Sequence, residues 1–462
     1  MTLIKSISGI RGTIGGKVGE SLTPLDIVRF TSSYALWIYN NPKSNSDLVV
    51  IGRDSRVSGL MISNIVSSTL MASGLNVLDL GLSTTPTVEM AVQLEKASGG
   101  IVITASHNPG NWNALKLLNH DGEFISEADG KKILEFSYEK YFHYKQVKDL
   151  GVYKKQENYH LIHIDKILNL PLVDIESIKD SKFKIVVDAV NSTGGIAVPA
   201  LLDRLGVECI ELYCNPNGLF PHNPEPLEEN LSDISNKVQQ TGADLGIVVD
   251  PDVDRLALVC EDGSMFGEEY TLVAVADYVL CEKLGNTVSN LSSTRALKDI
   301  TEKHGAMYNS SSVGEVNVVE KMKLTNAIIG GEGNGGVIYP ELHYGRDALV
   351  GIALFLSHLS KKEKKMTQLR DSYPKYYMEK RKIELKKETC LDEIFKELKL
   401  QYRNEKIDTN DGIKIDYKNE WVHLRKSNTE PIIRIYTESI SSDRAKSLAD
   451  NTIRTISKIL ES

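Results

Sequence analysis

The sequence predicts an α/β protein, built as three successive strand–turn–helix blocks and closed by a smaller α+β domain. Three observations lead there. Apolar runs of strand length alternate with amphipathic runs of helix length as far as about residue 370. That grammar recurs weakly three times. From about Asp371 it gives way to strands that follow one another with few helices between them.

In the first block, Thr23-Pro24-Leu-Asp26 is a helix start, with a cap, a proline at the first helical position and an acid at the third, and the helix runs to about Tyr39. Leu48–Ile51 reads as a strand, Ser58 as the cap of a helix stopping near Gly74, and Val77–Leu82 as the next strand. A further helix leads to the apolar run Gly100–Thr104. This alternation predicts a mainly parallel sheet. Its functional loops gather at the carboxyl ends of the strands, where Arg53 and Ser106 fall. Ahead of the block, Ser8–Gly16 reads as a flexible glycine-rich entry loop.

The polar stretch Lys154–His163 is expected to bridge domains. The second block has strand Phe183–Asp188, a turn at Asn191–Gly195, a helix to Leu205 and a strand at Cys209–Tyr213. A stiff Pro221–Pro226 loop and a strand ending at Val249 follow. The third has helix 270–283, strand 287–292, helix 295–304, a strand before Gly330 and helix 346–360, with Lys361–Lys365 as a solvated linker. The last domain has strands near 382–386, 412–417, 421–424 and 432–437, a helix at 391–400 and a terminal helix.

Composition excludes more than it selects. Hydrophobic residues make up 41% and charged residues 25% of 462, as in an ordinary globular chain. A net charge of -8 asks for neither nucleic acid nor membrane as partner. No apolar run is long enough to span a bilayer, and Met1–Lys5 opens no signal peptide, so a cytoplasmic setting is expected. Five cysteines, an odd number without a C-x-x-C pair, read as reduced thiols.

Four stretches carry chemistry. Thr104-Ala-Ser106-His107-Asn-Pro109 puts a hydroxyl beside an imidazole at a strand's end, with Lys116 close behind. Serine–histidine adjacency is most often ordinary loop, so its neighbours matter. Asp250-Pro-Asp252-Val-Asp254-Arg255 alternates carboxylates that share one face if the segment is extended. Oxygen-only ligands select Mg²⁺, Mn²⁺ or Ca²⁺ over zinc, and so few charges with a phosphate as fourth ligand favour Mg²⁺. An EF-hand is ruled out, because Arg255 stands where its glycine is needed and a strand leads in. Gly330-Gly-Glu332-Gly-Asn334-Gly-Gly336 offers hydrogen bonds suited to sugar hydroxyls, and it opens no helix as a dinucleotide fingerprint must. Arg425, Ser427, Asn428, Thr429 and Arg434 combine guanidinium, hydroxyl, amide and backbone donors for an oxyanion.

These four stretches, in this order, resemble the α-D-phosphohexomutase family, which includes phosphoglucomutases, phosphomannomutases, phosphoglucosamine mutases and phosphoacetylglucosamine mutases. The resemblance runs from Gly9-Ile-Arg11-Gly12 to Arg434. It implies three similar α/β domains with mixed sheets plus a C-terminal α+β domain around a central cleft, divided here as 1–153, 154–260, 261–368 and 369–462. It implies a phosphoserine at Ser106, Mg²⁺ held by Asp250, Asp252, Asp254 and the Ser106 phosphoryl group, and a hexose 1,6-bisphosphate intermediate. Arg11, Arg53, His107, Lys116 and Arg255 would assist catalysis, with His107 or Lys116 moving the proton. Glu332 and Asn334 would hold the sugar, and Arg425, Ser427, Asn428, Thr429 and Arg434 its phosphate.

Pro251, Ala114, Asn334 and Gly336 depart from the commonest bacterial pattern, Gly336 standing in place of a histidine. The variant is similar to archaeal-type phosphoglucosamine mutases, with a dual phosphomannomutase/phosphoglucomutase as the alternative. A sugar-phosphate sensor and a metal-dependent phosphatase are the readings from other classes. The expected partner is a small phosphosugar, and the expected state is a monomer or homodimer.

Overall fold

The computed structural model describes residues 3–6, 9–44, 46–138, 142–384, 391–426 and 432–461. Among them lie four sheets, one for each expected block, and the first three are mixed rather than parallel.

The first sheet has seven strands. Leu48–Arg53 is flanked in parallel by Gly99–Ile103 and Asn76–Leu82. Trp112–Leu118 then runs antiparallel to Gly99–Ile103, with Val102 opposite Lys116. Gly9–Thr13 adds antiparallel to it, so the expected entry loop is a strand over Gly9–Thr13. Its glycine is needed for close approach: Gly9 has φ +113°, and a Cβ there would sit 2.3 Å from the Leu115 carbonyl oxygen. Tyr153–Lys155 extends the other edge by pairing with Asn76–Leu82. The stretch expected to bridge domains therefore begins as a strand of this sheet and continues as helix Tyr159–Leu168.

Thr23 caps helix Pro24–Asn40 through a reciprocal box with Asp26, as its sequence requires. Ser58 precedes helix Gly59–Ala72 without a capping bond, and its hydroxyl instead accepts from Asn113. Apolar side chains of one face of the sheet cluster with these two helices, and those of the other face with helix Thr85–Leu94.

The second sheet orders Leu256–Cys260, Leu245–Val249, Lys184–Asp188 and Glu208–Leu212, its first pair antiparallel. The third orders Tyr308–Ser311, Asn286–Asn290, Ala327–Glu332 and Gly336–Ile338, its last pair antiparallel. One continuous core joins these two blocks. Helix Ala348–Lys362, buried without interruption from Ala348 to Leu359, runs through it beside helix Tyr270–Glu282. Lys361, in the last turn of this helix, pairs with Glu282 at 3.1 Å, so the expected linker starts within a helix.

The last sheet is antiparallel throughout, ordered Tyr377–Glu384, Ile432–Ser439, Trp421–Lys426, Ile413–Asp416 and Lys406–Asp408. It packs with helices Leu391–Gln401 and Ser442–Glu461.

Each of the first three sheets turns an all-buried or nearly all-buried strand into an antiparallel neighbour at one end. Those turns carry Ser106, the three aspartates, and Glu332 with Asn334.

Candidate active site

Ser106 sits at φ +48°, a left-handed conformation costly for a residue with a Cβ, so its surroundings must hold it there. Arg56, only 1% exposed, does so. Its guanidinium donates to the carbonyls of Pro109 (2.6 Å), Trp112 (3.0 Å), Ser106 (2.6 Å) and Asn108 (2.6 Å). Its Nε donates to Asp54 Oδ2 at 3.0 Å, the same oxygen that accepts from Thr104. Thr104 Oγ1 in turn accepts from the Ser106 amide at 2.9 Å.

Ser106 Oγ donates to Asp250 Oδ2 at 2.7 Å, and His107 Nδ1 lies 3.3 Å from the same hydroxyl. Burial, with Arg255 and Arg11 nearby, pushes the His107 pKa down to about 2, so its imidazole is neutral. Arg11, on the strand opposite Ala114, donates to Asn108 Oδ1 at 3.2 Å.

Asp250, Asp252 and Asp254 are fully buried on the hairpin between Val249 and Leu256. The segment is a turn, not the extended run expected: the Val253 amide donates to the Asp250 carbonyl at 3.1 Å and Val253 has φ +63°. The turn still gathers the carboxylates, with an oxygen from each within 4.8 Å of the others. Asp250 Oδ1 accepts the amides of Asp254 (3.1 Å) and Arg255 (3.2 Å). Asp252 Oδ2 accepts from Thr85 (2.6 Å) and Lys116 (2.6 Å).

The charges divide unevenly. Burial, then Asp254 and Asp252, hold the Asp250 carboxyl well above the usual range. Burial would raise Asp254 as well, but Arg346 and Lys116 outweigh it and hold that group below the range. Burial would lower Lys116, yet Asp252 and Asp254 raise it, so it stays a cation. Asp252 Oδ1 and Asp254 Oδ1 are buried without a hydrogen-bond partner. Two orphaned carboxylate oxygens beside a third carboxylate and a hydroxyl are a donor set that fits a hard divalent cation.

Arg11, Ser106, His107, Lys116, Arg255, Glu332, Asn334, Arg425 and Arg434 all line one cleft of about 790 Å³. Arg425 and Arg434 face each other in register on adjacent strands of the last sheet. Ser427, Asn428 and Thr429, from the same motif, lie outside the described residues. Glu332 is 4% exposed and held by Asn290 (2.8 Å) and the Gly314 amide (3.0 Å), while Asn334 Oδ1 accepts the Gly336 amide at 3.3 Å.

Arg53 is not brought to this cleft. Its guanidinium donates to the Asp54 carbonyl and lines a separate cavity with Asp79, Tyr153 and Lys155.

Three participants escape a reading of the sequence. Arg56 lies in a run where nothing marks one arginine over the other. Glu225, on the proline-rich loop, meets Arg255 at 3.4 Å and His107 at 4.0 Å. Arg346 donates to Asp254, Glu332 and Glu315. Its side chain also accounts for Gly336: a Cβ there would lie 2.3 Å from Arg346 Cδ.

The described residues contain no helix long and apolar enough to cross a membrane. Cys209, Cys214, Cys260 and Cys281 are free thiols, and Cys390 lies outside the described residues.

Four family profiles match in chain order. They are the phosphoglucomutase/phosphomannomutase alpha/beta/alpha domain I over residues 3–143, domain II over 162–263, domain III over 267–377 and the C-terminal domain over 378–455. A phosphoglucomutase/phosphomannomutase of Thermococcus kodakarensis is 35% identical, covering 97% of this chain and 99% of its own. A phosphoglucosamine/phosphogalactosamine mutase of Sulfurisphaera tokodaii is 31% identical over 98% of each. The crystal structure of a family protein from Burkholderia thailandensis superposes with a TM-score of 0.86 at 24% identity, over 99% of this chain and 98% of that one. With the fold, the ordered motifs and full-length relatives in agreement, the chain belongs to the phosphoglucomutase/phosphomannomutase family and is a phosphohexomutase.

Proposed function

We propose that the protein interconverts hexose 6-phosphate and hexose 1-phosphate through a phosphoserine at Ser106, with glucosamine 6-phosphate as its preferred substrate. The observation that carries the reading is the meeting of Ser106 Oγ with Asp250 at 2.7 Å, beside the orphaned oxygens of Asp252 and Asp254. Phosphoryl transfer needs placement and charge neutralisation above all else.

The reaction begins from phosphorylated Ser106. Arg425 and Arg434, with Ser427, Asn428 and Thr429, grip the phosphate already on the sugar, and Glu332 and Asn334 orient the ring. A sugar hydroxyl attacks the Ser106 phosphorus, forming one P–O bond as the bond to Ser106 Oγ breaks. His107, 3.3 Å from Ser106 Oγ, or Lys116 relays the hydroxyl proton, and Lys116 with Arg11 stabilises the phosphoryl oxygens. The product is a hexose 1,6-bisphosphate. It turns over in the cleft and returns its other phosphate to Ser106, giving the isomer. Asp250, Asp252, Asp254 and one oxygen of the Ser106 phosphoryl group would hold Mg²⁺, which supplies charge neutralisation at the phosphoryl group. Arg255 is steadied by Glu225 at the edge of the transferred group.

For the substrate, relatives named for phosphoglucosamine support the choice. The T. kodakarensis relative favours a dual phosphoglucomutase/phosphomannomutase as the second reading. Free thiols at Cys209, Cys214, Cys260 and Cys281 accord with a reducing, cytoplasmic setting.

The test is a side-by-side assay of glucosamine, glucose and mannose 6-phosphates, each primed with a trace of hexose bisphosphate. Highest kcat/KM for the amino sugar is expected. Preference for glucose or mannose overturns the substrate assignment, and net phosphate release without isomerisation overturns the mutase.

A further inference from the structure

Arg346 occupies a position that the cleft's own chemistry does not explain. It is 9% exposed and contacts carboxylates on three separate elements. Its Nη2 donates to Asp254 Oδ2 at 2.7 Å, on the aspartate hairpin. Its Nη1 donates to Glu332 Oε2 at 2.8 Å, at the end of a strand. Nε donates to Glu315 Oε2 at 3.0 Å, at the start of helix Glu315–Thr325. The fork of a guanidinium can bind three acceptors in fixed relative directions, which an ammonium cannot.

The backbone that carries this fork is itself tied down. The Arg346 amide donates to the other oxygen of Glu315 at 3.1 Å. The next residue, Asp347, caps helix Ala348–Lys362, and its amide donates to Val337 at 2.8 Å. The Ala348 amide donates to the carbonyl of Val253, inside the aspartate hairpin, at 3.2 Å. Space for the side chain exists because residue 336 has no Cβ: one added there would lie 2.3 Å from Arg346 Cδ and 3.0 Å from Cγ. Gly336 shows no left-handed φ, so the absence of a side chain, not backbone conformation, is what this site uses.

We propose that Arg346 is a positioning residue joining the two halves of the site. It turns Asp254 so that Oδ1 faces the cation position, and it turns Glu332 toward the sugar, so one guanidinium sets both cation affinity and sugar affinity. The inference rests on the phosphohexomutase reading of the cleft. It makes the pair Gly336 and Arg346 a single device, in which the glycine is kept for the arginine.

The test uses two variants of the full chain. Arg346→Lys keeps the charge and loses the fork. Gly336→Ala keeps the guanidinium and drives it out of place, so it remains informative if the arginine variant does not fold. Calorimetric titration with Mn²⁺ and with glucosamine 6-phosphate reads the two affinities separately from turnover. Loss of about one charge-assisted hydrogen bond at each end raises each dissociation constant by about tenfold. In kinetics, KM rises and the half-saturating cation concentration rises with it. A folded Gly336→Ala protein with both constants within about twofold of wild type overturns the proposal. So does a fall in kcat with both affinities unchanged, since a merely structural arginine would give that. Failure of the wild type to isomerise hexose phosphates would instead strike the proposed function, leaving the Mn²⁺ titration as an independent reading of Arg346.

Discussion

Lys116→Met removes the cation that sits between two buried aspartates. Lys116 is 4% exposed, and its Nζ lies 2.6 Å from Asp252 Oδ2 and 3.3 Å from Asp254 Oδ2. Deleting one partner of a buried ion pair destabilises a protein by about 3–5 kcal/mol. Thr85 still donates to Asp252 and Arg346 to Asp254, which places the loss at the lower end. Unfolding entropy of about 2.1 cal/mol/K per residue, over the whole chain, makes a loss of that size a fall of about 3 °C in melting temperature in the presence of chelator. The fall is larger if the first domain melts alone. Divalent cation then counteracts it. A ligand at a hundred times its Kd adds about 2.7 kcal/mol to the folded state. The variant lacks the competing ammonium, so its rise with Mg²⁺ exceeds the wild-type rise at the same concentration. Turnover falls by about 10²-fold or more, as when an electrostatic group of an active site is removed. The assay is thermal scanning in chelator and in Mg²⁺, paired with initial rates. An unchanged melting temperature in chelator, or a Mg²⁺-induced rise no larger than that of wild type, refutes the electrostatic argument.

Arg56→Lys loses most of the four carbonyl contacts that hold the Ser106 turn. Activity is expected to fall by about 10²-fold, the effect of a displacement near 1 Å, and protease cleavage within 104–112 should become faster; unaltered rates and cleavage count against the loop-holding role. Glu269 gives a pH dependence. Burial raises its pKa to about 8 from the ordinary carboxylate range near 4.3, so the folded state keeps a proton that the unfolded state has lost. Its contribution is complete below the unfolded pKa and declines as pH rises toward 8, so stability should fall across pH 5–8. Glu269→Gln should flatten that fall, and a variant profile parallel to wild type dismisses the assignment.

Much of the site was legible because its signals are local. A strand of β-branched residues ending in Ser106 and Asn-Pro-Gly reads as a strand and turn without knowledge of the fold. Three aspartates in five residues gather charge whether the segment is extended or turned, so their burial together survived an incorrect backbone expectation. What stayed hidden depends on partners far along the chain. Gly9–Thr13 joins the sheet by pairing with Trp112–Leu118, about a hundred residues on. Arg56 and Arg53 are indistinguishable by type, yet Arg56 holds the Ser106 loop and Arg53 lines a separate cavity. Arg346 lies in no motif, and its three carboxylates come from positions 254, 315 and 332. Even the reason for Gly336 is not local, since it is the Arg346 side chain that needs the space.

The claim beneath all of this is that Ser106 Oγ carries the phosphoryl group that moves. The direct measurement loads the enzyme with isotopically labelled hexose 1,6-bisphosphate, maps the label by mass spectrometry and chases it with unlabelled hexose 6-phosphate. The account predicts one labelled phosphoryl group on Ser106, leaving at a rate no slower than turnover and appearing on sugar. An enzyme that isomerises hexose phosphates with Ser106 unlabelled throughout, or with Ser106→Ala fully active, would contradict it.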